Sequence, residues 1–163
     1  NMSQQRTVGI SDFVAAKGPD ILVTYALGSC VGICLYDSKL QIGGLSHIML
    51  PDSNQFSKNE INRMKFADTA IADLVSDMRR LGADMRRITA KIAGGAKMFQ
   101  TQPGSQIGSI GDRNVDSVKQ VLKDLHIPLT AEDTRQNYGR TIHFYLGTGI
   151  MKVSSLNRGT TEY

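Results

Sequence analysis

The chain has 163 residues, 40% of them hydrophobic and 21% charged, and carries a net charge of +4 at pH 7. That length suits a single domain spanning residues 1–163, and the composition excludes disordered, collagen-like and disulfide-rich classes. No stretch approaches the roughly 18 consecutive apolar residues of a membrane span, and "NMSQQRTVGI" lacks the apolar core of a signal peptide, so a cytoplasmic protein without membrane insertion is expected. Asn1, ahead of Met2, is set aside as an expression remnant. Aromatic residues make up 6% with no tryptophan, and the densest basic pairs are only Arg79-Arg80 and Arg86-Arg87. This excludes the familiar nucleic-acid signatures and leaves acidic protein surface as the partner a basic chain suits.

Four short segments rich in β-branched and apolar residues open the chain: Val8 to Ala15, Ile21 to Leu27, Val31 to Asp37 and Ile42 to Met49. All read as strands separated by turns. "MLPDSNQFSKNE" reads as a loop, after which Ile61, Met64, Ile71, Leu74, Val75 and Met78 recur at helical spacing. They predict a helix from Asn59 to Leu81, stopped at Gly82. Arg87 to Gly95 predicts a buried strand ending in a glycine pair, and a second helix is expected to begin near Asp112 as N-cap and to end before Pro128. "LTAEDT", "RTIHFYL" and "GIMKVSS" close the chain as two or three strands. Strands and two amphipathic helices out of strict alternation argue for an α+β or mixed α/β sandwich. Neither GxGxxG after a strand nor GxxxxGK[ST] occurs, so the common nucleotide loops are excluded.

The stretch "ALGSCVGICLYD", Ala26 to Asp37, sets Cys30 at the mouth of an apolar run. Along an extended strand Cys30 and Cys34 would lie roughly 13 Å apart, beyond the ~7 Å reach of a disulfide. Cysteine and histidine spacing fits neither CxxC nor HExxH, so no metal is expected. If the third and fourth strands form a hairpin turning at Ser38-Lys39, Cys30 falls opposite His47, with Cβ atoms about 4.5–5.5 Å apart. An imidazolium so placed would lower the thiol pKa and populate a thiolate. Gly28 would allow a tight turn beside the sulfur, and the Thr24 hydroxyl on the preceding strand could accept the other imidazole N–H. Pattern alone leaves two readings open, an inert core thiol and a nucleophile. His126 and His143 read as helix-end and structural residues.

"TYALGSCVGICLYD", "GGLSHIMLPD", "KIAGGAKMF" and "IGDRNV", with "AEDT" and "GRTIHF" beyond them, resemble the chemoreceptor glutamine deamidase CheD family of bacterial and archaeal chemotaxis. The resemblance implies a three-layer α/β/β sandwich related to glutamine-deamidating toxins. It also implies a protein-glutamine glutaminase, a cofactor-free amidohydrolase that converts glutamines on methyl-accepting chemotaxis receptors to glutamates. Cys30 would be the nucleophile, His47 the general base and acid, and Thr24 the orienting hydroxyl. Gly28, Ser29, Gly94 and Gly95 are oxyanion or cleft candidates, as is the Cys30 N–H. Met98 and Phe99 are expected in the core or, if exposed, in a docking patch. Gly111, Arg113 and Asn114 match a block expected to fix the entry of a helix. The chain departs from the family where a glycine pair commonly follows Asp133, since it has Thr134-Arg135-Gln136 there. Two other functions fit the same residues. One is a regulatory binding module for the chemotaxis phosphatase CheC, and the other a receptor methylester hydrolase using the same dyad.

Overall fold

The computed structural model describes residues 2–56, 61–99 and 109–163. Asn1 and the expected helix start at Asn59 lie outside the described residues. Among the described residues ten strands and two α-helices form the fold: β1 Gln5–Thr7, β2 Asp12–Lys17, β3 Ile21–Leu27, β4 Val31–Asp37, β5 Ile42–Ile48, α1 Ala67–Arg80, β6 Thr89–Gly94, α2 Ile110–Asp124, β7 Leu129–Thr134, β8 Arg140–Tyr145, β9 Ile150–Ser155 and β10 Gly159–Glu162. The strands make two five-stranded sheets, ordered β1-β3-β8-β9-β10 and β2-β5-β4-β6-β7. Both sheets are mixed, because β1 runs parallel to β3 and β6 parallel to β7 while the other ladders are antiparallel. No described helix is long and apolar enough to cross a membrane.

Strand β4 shows how the layers stack. All its residues are buried, and it divides them between two cores by the period-2 alternation of a strand. Val31, Ile33 and Leu35 pack with Ala70, Ile71, Leu74 and Val118 beneath the helices. Cys34 and Tyr36 pack with Leu22, Leu45, Ile142 and Phe144 between the sheets. The near-continuous apolar run of β4 is therefore that of a strand covered on both faces. Helix α1 buries Ala67, Ala70, Ile71, Leu74, Val75 and Met78, one stripe at helical spacing. At Gly44 a Cβ would stand 2.5 Å from the Leu74 side chain, so the missing side chain brings α1 close to β5.

Several boundaries differ from expectation, each for a local reason. The first expected strand, Val8 to Ala15, becomes strand only from Asp12, as β2, after a turn in which Ser11 has φ 58°, and the unexpected β1 lies ahead of it and joins the outer sheet. Helix α1 begins at Ala67, later than expected, because Asn62 caps a separate 3-10 turn over Arg63–Lys65 and Phe66 is extended, bridging to Leu50. The N-cap of α2 is Ser109, and Asp112 lies in its first turn, paired with Arg135. Strand β10, rich in Gly and Thr and exposed throughout, had no apolar pattern to announce it.

The departure after Asp133 acquires a physical meaning. Arg135 and Gln136 both adopt left-handed backbone, at φ 68° and 61°, where a side chain costs roughly 1–2 kcal/mol and glycine costs nothing. Arg135 gains compensation by reaching Asp112 at 2.6 Å and Asp116 at 2.8 Å on α2. Its backbone N–H donates to Gly94 O, and Gln136 O accepts from Lys97 N–H, so this turn ties α2 and the end of β6 together.

Gly95 and Gly111 set the fit between that end of β6 and α2. A Cβ on Gly111 would stand 2.5 Å from Ala96 O and 2.6 Å from Gly95 O, and one on Gly95 2.2 Å from Val115 Cγ2. Ala for Gly inside a helix ordinarily stabilises by about 1 kcal/mol. Here Gly111→Ala is expected to destabilise by about 1–3 kcal/mol, because rigid backbone stands where the methyl must go. Urea unfolding of the two proteins checks the sign.

Candidate active site

Thr24, Cys30 and His47 come from three consecutive strands or their ends, and the sandwich brings them to one region between the sheets. Thr24 lies on β3 of the outer sheet and His47 on β5 of the inner one, both fully buried. The Thr24 hydroxyl is 2.7 Å from His47 Nδ1 and 2.7 Å from the backbone carbonyl of Val8. These two contacts fix the proton. A threonine hydroxyl has one hydrogen, and a carbonyl can only accept, so Oγ1 donates to Val8 O and accepts from Nδ1–H. His47 is thereby held as the tautomer whose Nε2 carries a lone pair, and that nitrogen is buried with no hydrogen-bond partner among the described residues.

Cys30 is not directly opposite His47. The β4–β5 hairpin turns through Ser38–Gln41, one residue later than the sequence suggested, and pairs Gly32 with His47 and Val31 with Ile48. Asp37 helps set this turn: its carboxylate accepts the Lys39 N–H and binds the Arg87 guanidinium, while Gln41 takes φ 54°. Cys30 precedes β4 by one residue and shares the inter-sheet side with Gly32, so it is a diagonal neighbour of His47. Diagonal neighbours lie about 7–8 Å apart, within reach of a long side chain. The intervening Gly32 has no side chain. A Cβ there would stand 2.5 Å from Ile142 Cδ1.

The electrostatics also correct the expected resting state. Burial pushes the Cys30 thiol up, against a smaller downward pull from its own backbone N–H. Burial pulls His47 down from 6.5 to about 4. Both shifts oppose a standing thiolate–imidazolium pair, and the site rests as thiol and neutral imidazole. Cys34 is driven up further by complete burial and is an inert core thiol.

The glycine candidates hold the cysteine turn. Gly94, at φ 115°, is where a Cβ would meet Cys30 O at 2.3 Å, so only glycine lets β6 end against this turn. Gly95 N–H donates to Cys30 O, and Ala96 N–H to Gly28 O, each at 2.8 Å. At Gly28 a Cβ would meet Met98 Cγ at 3.3 Å, so the bare glycine makes room for Met98. Ser29 offers its carbonyl to Asn114 Nδ2 at 2.9 Å, and the same nitrogen donates to Met49 O at 2.9 Å. Asn114 thus does more than shape a helix entry. The contribution of the Val8 carbonyl had no sequence signal, since it is a backbone atom, and Val8 itself was expected at the start of a strand rather than in the connection it occupies. Met98 and Phe99 are not core; they are 46% and 86% exposed. Beside them an open groove of about 780 Å³ is lined by Ala26, Met98, Tyr138, Ser155 and Leu156 among others.

His126, at φ 58°, ends α2, and His143 faces away from the inter-sheet core on β8, paired with Lys152. Neither joins the site. Among the described residues no three His, Cys, Asp or Glu side chains are grouped to hold a metal.

The family model described as CheD chemotactic sensory transduction matches residues 49–155. The chain belongs to the CheD family. A protein of Caldanaerobacter subterraneus subsp. tengcongensis named "Probable chemoreceptor glutamine deamidase CheD" is 51% identical over 152 residues, 93% of each chain. A protein of Clostridium botulinum with the same name is 52% identical over 155 residues, 95% of each chain. Among solved structures, the Bacillus licheniformis hypothetical protein YfiH is similar at a TM-score of 0.47 and 17% identity, over 76% of this chain and 50% of that one. Within the CheD family the α/β/β layering expected from sequence is the observed one.

The pH dependence of stability follows from His47. Its folded pKa of about 4 lies below the ordinary 6.5, so the unfolded chain binds the proton more readily in between. Stability is expected to be fully present above pH 6.5 and to fall by up to about 3 kcal/mol as pH drops toward 4. Urea midpoints at pH 7 and 4.5 measure it, and His47→Gln should flatten the difference.

Proposed function

We propose that this chain hydrolyses the side-chain amide of specific glutamines on chemoreceptors, with Cys30 as nucleophile and His47 as general base and acid. Relatives named as chemoreceptor glutamine deamidases over nearly the whole chain support the substrate. The observation that carries the chemistry is the Thr24–His47 bond, which leaves the Nε2 lone pair unpartnered on the side of the sheet shared with Cys30. Chemoreceptor glutamines are modified on cytoplasmic helices in the family the sequence resembles, which makes the cytoplasm the place of action.

The neutral resting pair sets the order of events. As the Cys30 sulfur rotates toward the ring and attacks the glutamine Cδ, Nε2 takes the thiol proton, so charge appears only as attack proceeds. The forming imidazolium keeps its Nδ1–H on Thr24 Oγ1, whose own hydrogen remains on Val8 O. The tetrahedral oxyanion collapses as Nε2–H protonates the departing nitrogen, releasing ammonia and leaving a thioester. Nε2 then removes a proton from water, which attacks the thioester; glutamate leaves and the thiol is restored. No cofactor enters the balance.

A second reading concerns partners. The exposed Met98 stands against Gly28 of the cysteine turn and is followed by the exposed Phe99, which favours a protein-docking patch there and is compatible with binding the phosphatase CheC. A pure binding module would keep its partner when Cys30 is replaced. A methylester hydrolase would act on methylated receptor with the same dyad, and parallel assays of amide and ester substrates separate the two.

Intact mass spectrometry of a chemoreceptor cytoplasmic fragment should show a gain of about one dalton per modified glutamine with wild type and none with Cys30→Ala. Thr24→Val, which removes the acceptor of Nδ1–H at nearly constant volume, should lower kcat at least about tenfold, and Thr24→Ser should restore most of it. Unchanged receptor mass with wild type, despite binding, overturns the deamidase reading.

A further inference from the structure

We infer that Asn114 is a positioning residue for the oxyanion site, acting by holding the Ser29–Cys30 peptide in one orientation. This rests on the deamidase reading above. Three successive carbonyls of the cysteine turn are each bound: Gly28 O accepts from Ala96 N–H, Ser29 O from Asn114 Nδ2, and Cys30 O from Gly95 N–H. The only cis peptide among the described residues is Gly18-Pro19, so the peptides of this turn are trans. In a planar trans peptide the N–H points opposite to the C=O. Binding Gly28 O therefore directs the Ser29 N–H away from β6, and binding Ser29 O directs the Cys30 N–H away from α2.

Among the described residues no backbone carbonyl takes up either N–H. The Cys30 N–H instead acts on its own sulfur, where it favours the thiolate. Two adjacent donors next to the nucleophile are the arrangement that stabilises a tetrahedral oxyanion. Of the groups that hold the turn, Ala96 orients the Ser29 N–H and Gly95 the peptide that follows Cys30, both through backbone and so indifferent to side-chain identity. Asn114 is the one side chain among the three.

Asn114 is built for this task. It is fully buried on α2, and its Nδ2 divides its two hydrogens between Ser29 O and Met49 O, each at 2.9 Å. One amide thus ties the turn carrying Cys30 to the residue that follows β5, the strand carrying His47. A carboxylate could donate neither bond, and a hydroxyl only one. Its reach depends on the close seat of α2 on Gly95 through Gly111, and Arg135 supports that seat from the other side through Asp112 and Asp116.

The test separates oxyanion stabilisation from thiol reactivity. Wild type, Asn114→Ala and Asn114→Ser are compared in receptor deamidation, in alkylation of Cys30 by iodoacetamide, and in binding of a peptide whose target glutamine carries an aldehyde in place of the carboxamide. Thiol addition to the aldehyde forms a carbon–sulfur bond and turns the carbonyl oxygen into an oxyanion or hydroxyl at the same site; alkylation displaces iodide and forms no oxyanion. Loss of a full oxyanion donor lowers kcat by about 10²–10³. Misorientation in Asn114→Ala is expected to lower kcat and aldehyde affinity by about tenfold or more, with KM and alkylation rate within about threefold, and Asn114→Ser should fall between. Asn114→Ser carries the comparison if thermal unfolding shows Asn114→Ala to be misfolded. Unchanged aldehyde affinity, or alkylation falling in step with it, overturns the inference. Wild type that neither deamidates nor binds the aldehyde overturns the deamidase reading itself.

Discussion

The Thr24 hydroxyl joins the two sheets through a single atom. Standing on the outer sheet, it receives the His47 ring from the inner one and passes its hydrogen to Val8 O, so the tautomer of a buried histidine depends on the packing of two layers against each other. Losing that bond would leave a buried N–H and a buried carbonyl unpaired, each a cost of about 1–3 kcal/mol. The sandwich and the proposed catalytic base are therefore stabilised by the same contact.

Around that contact the site is assembled mostly from behind. Gly94, Gly95 and Ala96 meet the cysteine turn backbone to backbone, and α2 packs on them through Gly111. Side chains would prevent this approach, which explains why small residues cluster at positions far apart in sequence. The turn is held by its carbonyls, and by peptide geometry its Ser29 and Cys30 N–H groups point away from those holds. Rigid support on one side and freedom on the other suit a site that must receive a substrate side chain without remaking itself.

Burial gives the same site a chemical character that a catalogue of residues would miss. A cysteine and a histidine near one another suggest an ion pair at rest, yet the burial of His47 and the partial burial of Cys30 both favour the neutral forms. The proposed dyad is then one in which proton transfer accompanies attack. Such an arrangement limits the resting thiol's exposure to oxidants and alkylating agents, because the thiolate is the reactive form.

Much was legible in the sequence. Strands β3 and β4 have the bounds that their apolar runs give, Ile71, Leu74, Val75 and Met78 form the buried stripe of α1 that their spacing shows while Ile61 and Met64 fall ahead of the helix, and Thr24, Cys30 and His47 stand out by residue type and motif. These features are local, set by side-chain identity at period 2 or 3.6. What the tertiary structure alone decided was non-local. The hairpin register shifted by a turn residue, which moved Cys30 from opposite His47 to its diagonal. The Val8 carbonyl entered from the connection between β1 and β2, and Asn114 reached the cysteine turn from 85 residues away along the chain. Desolvation, too, is a property of the packed molecule. A sequence names the groups that can carry a proton, but how far they are removed from water, and which partner takes each hydrogen, is fixed only when the layers close.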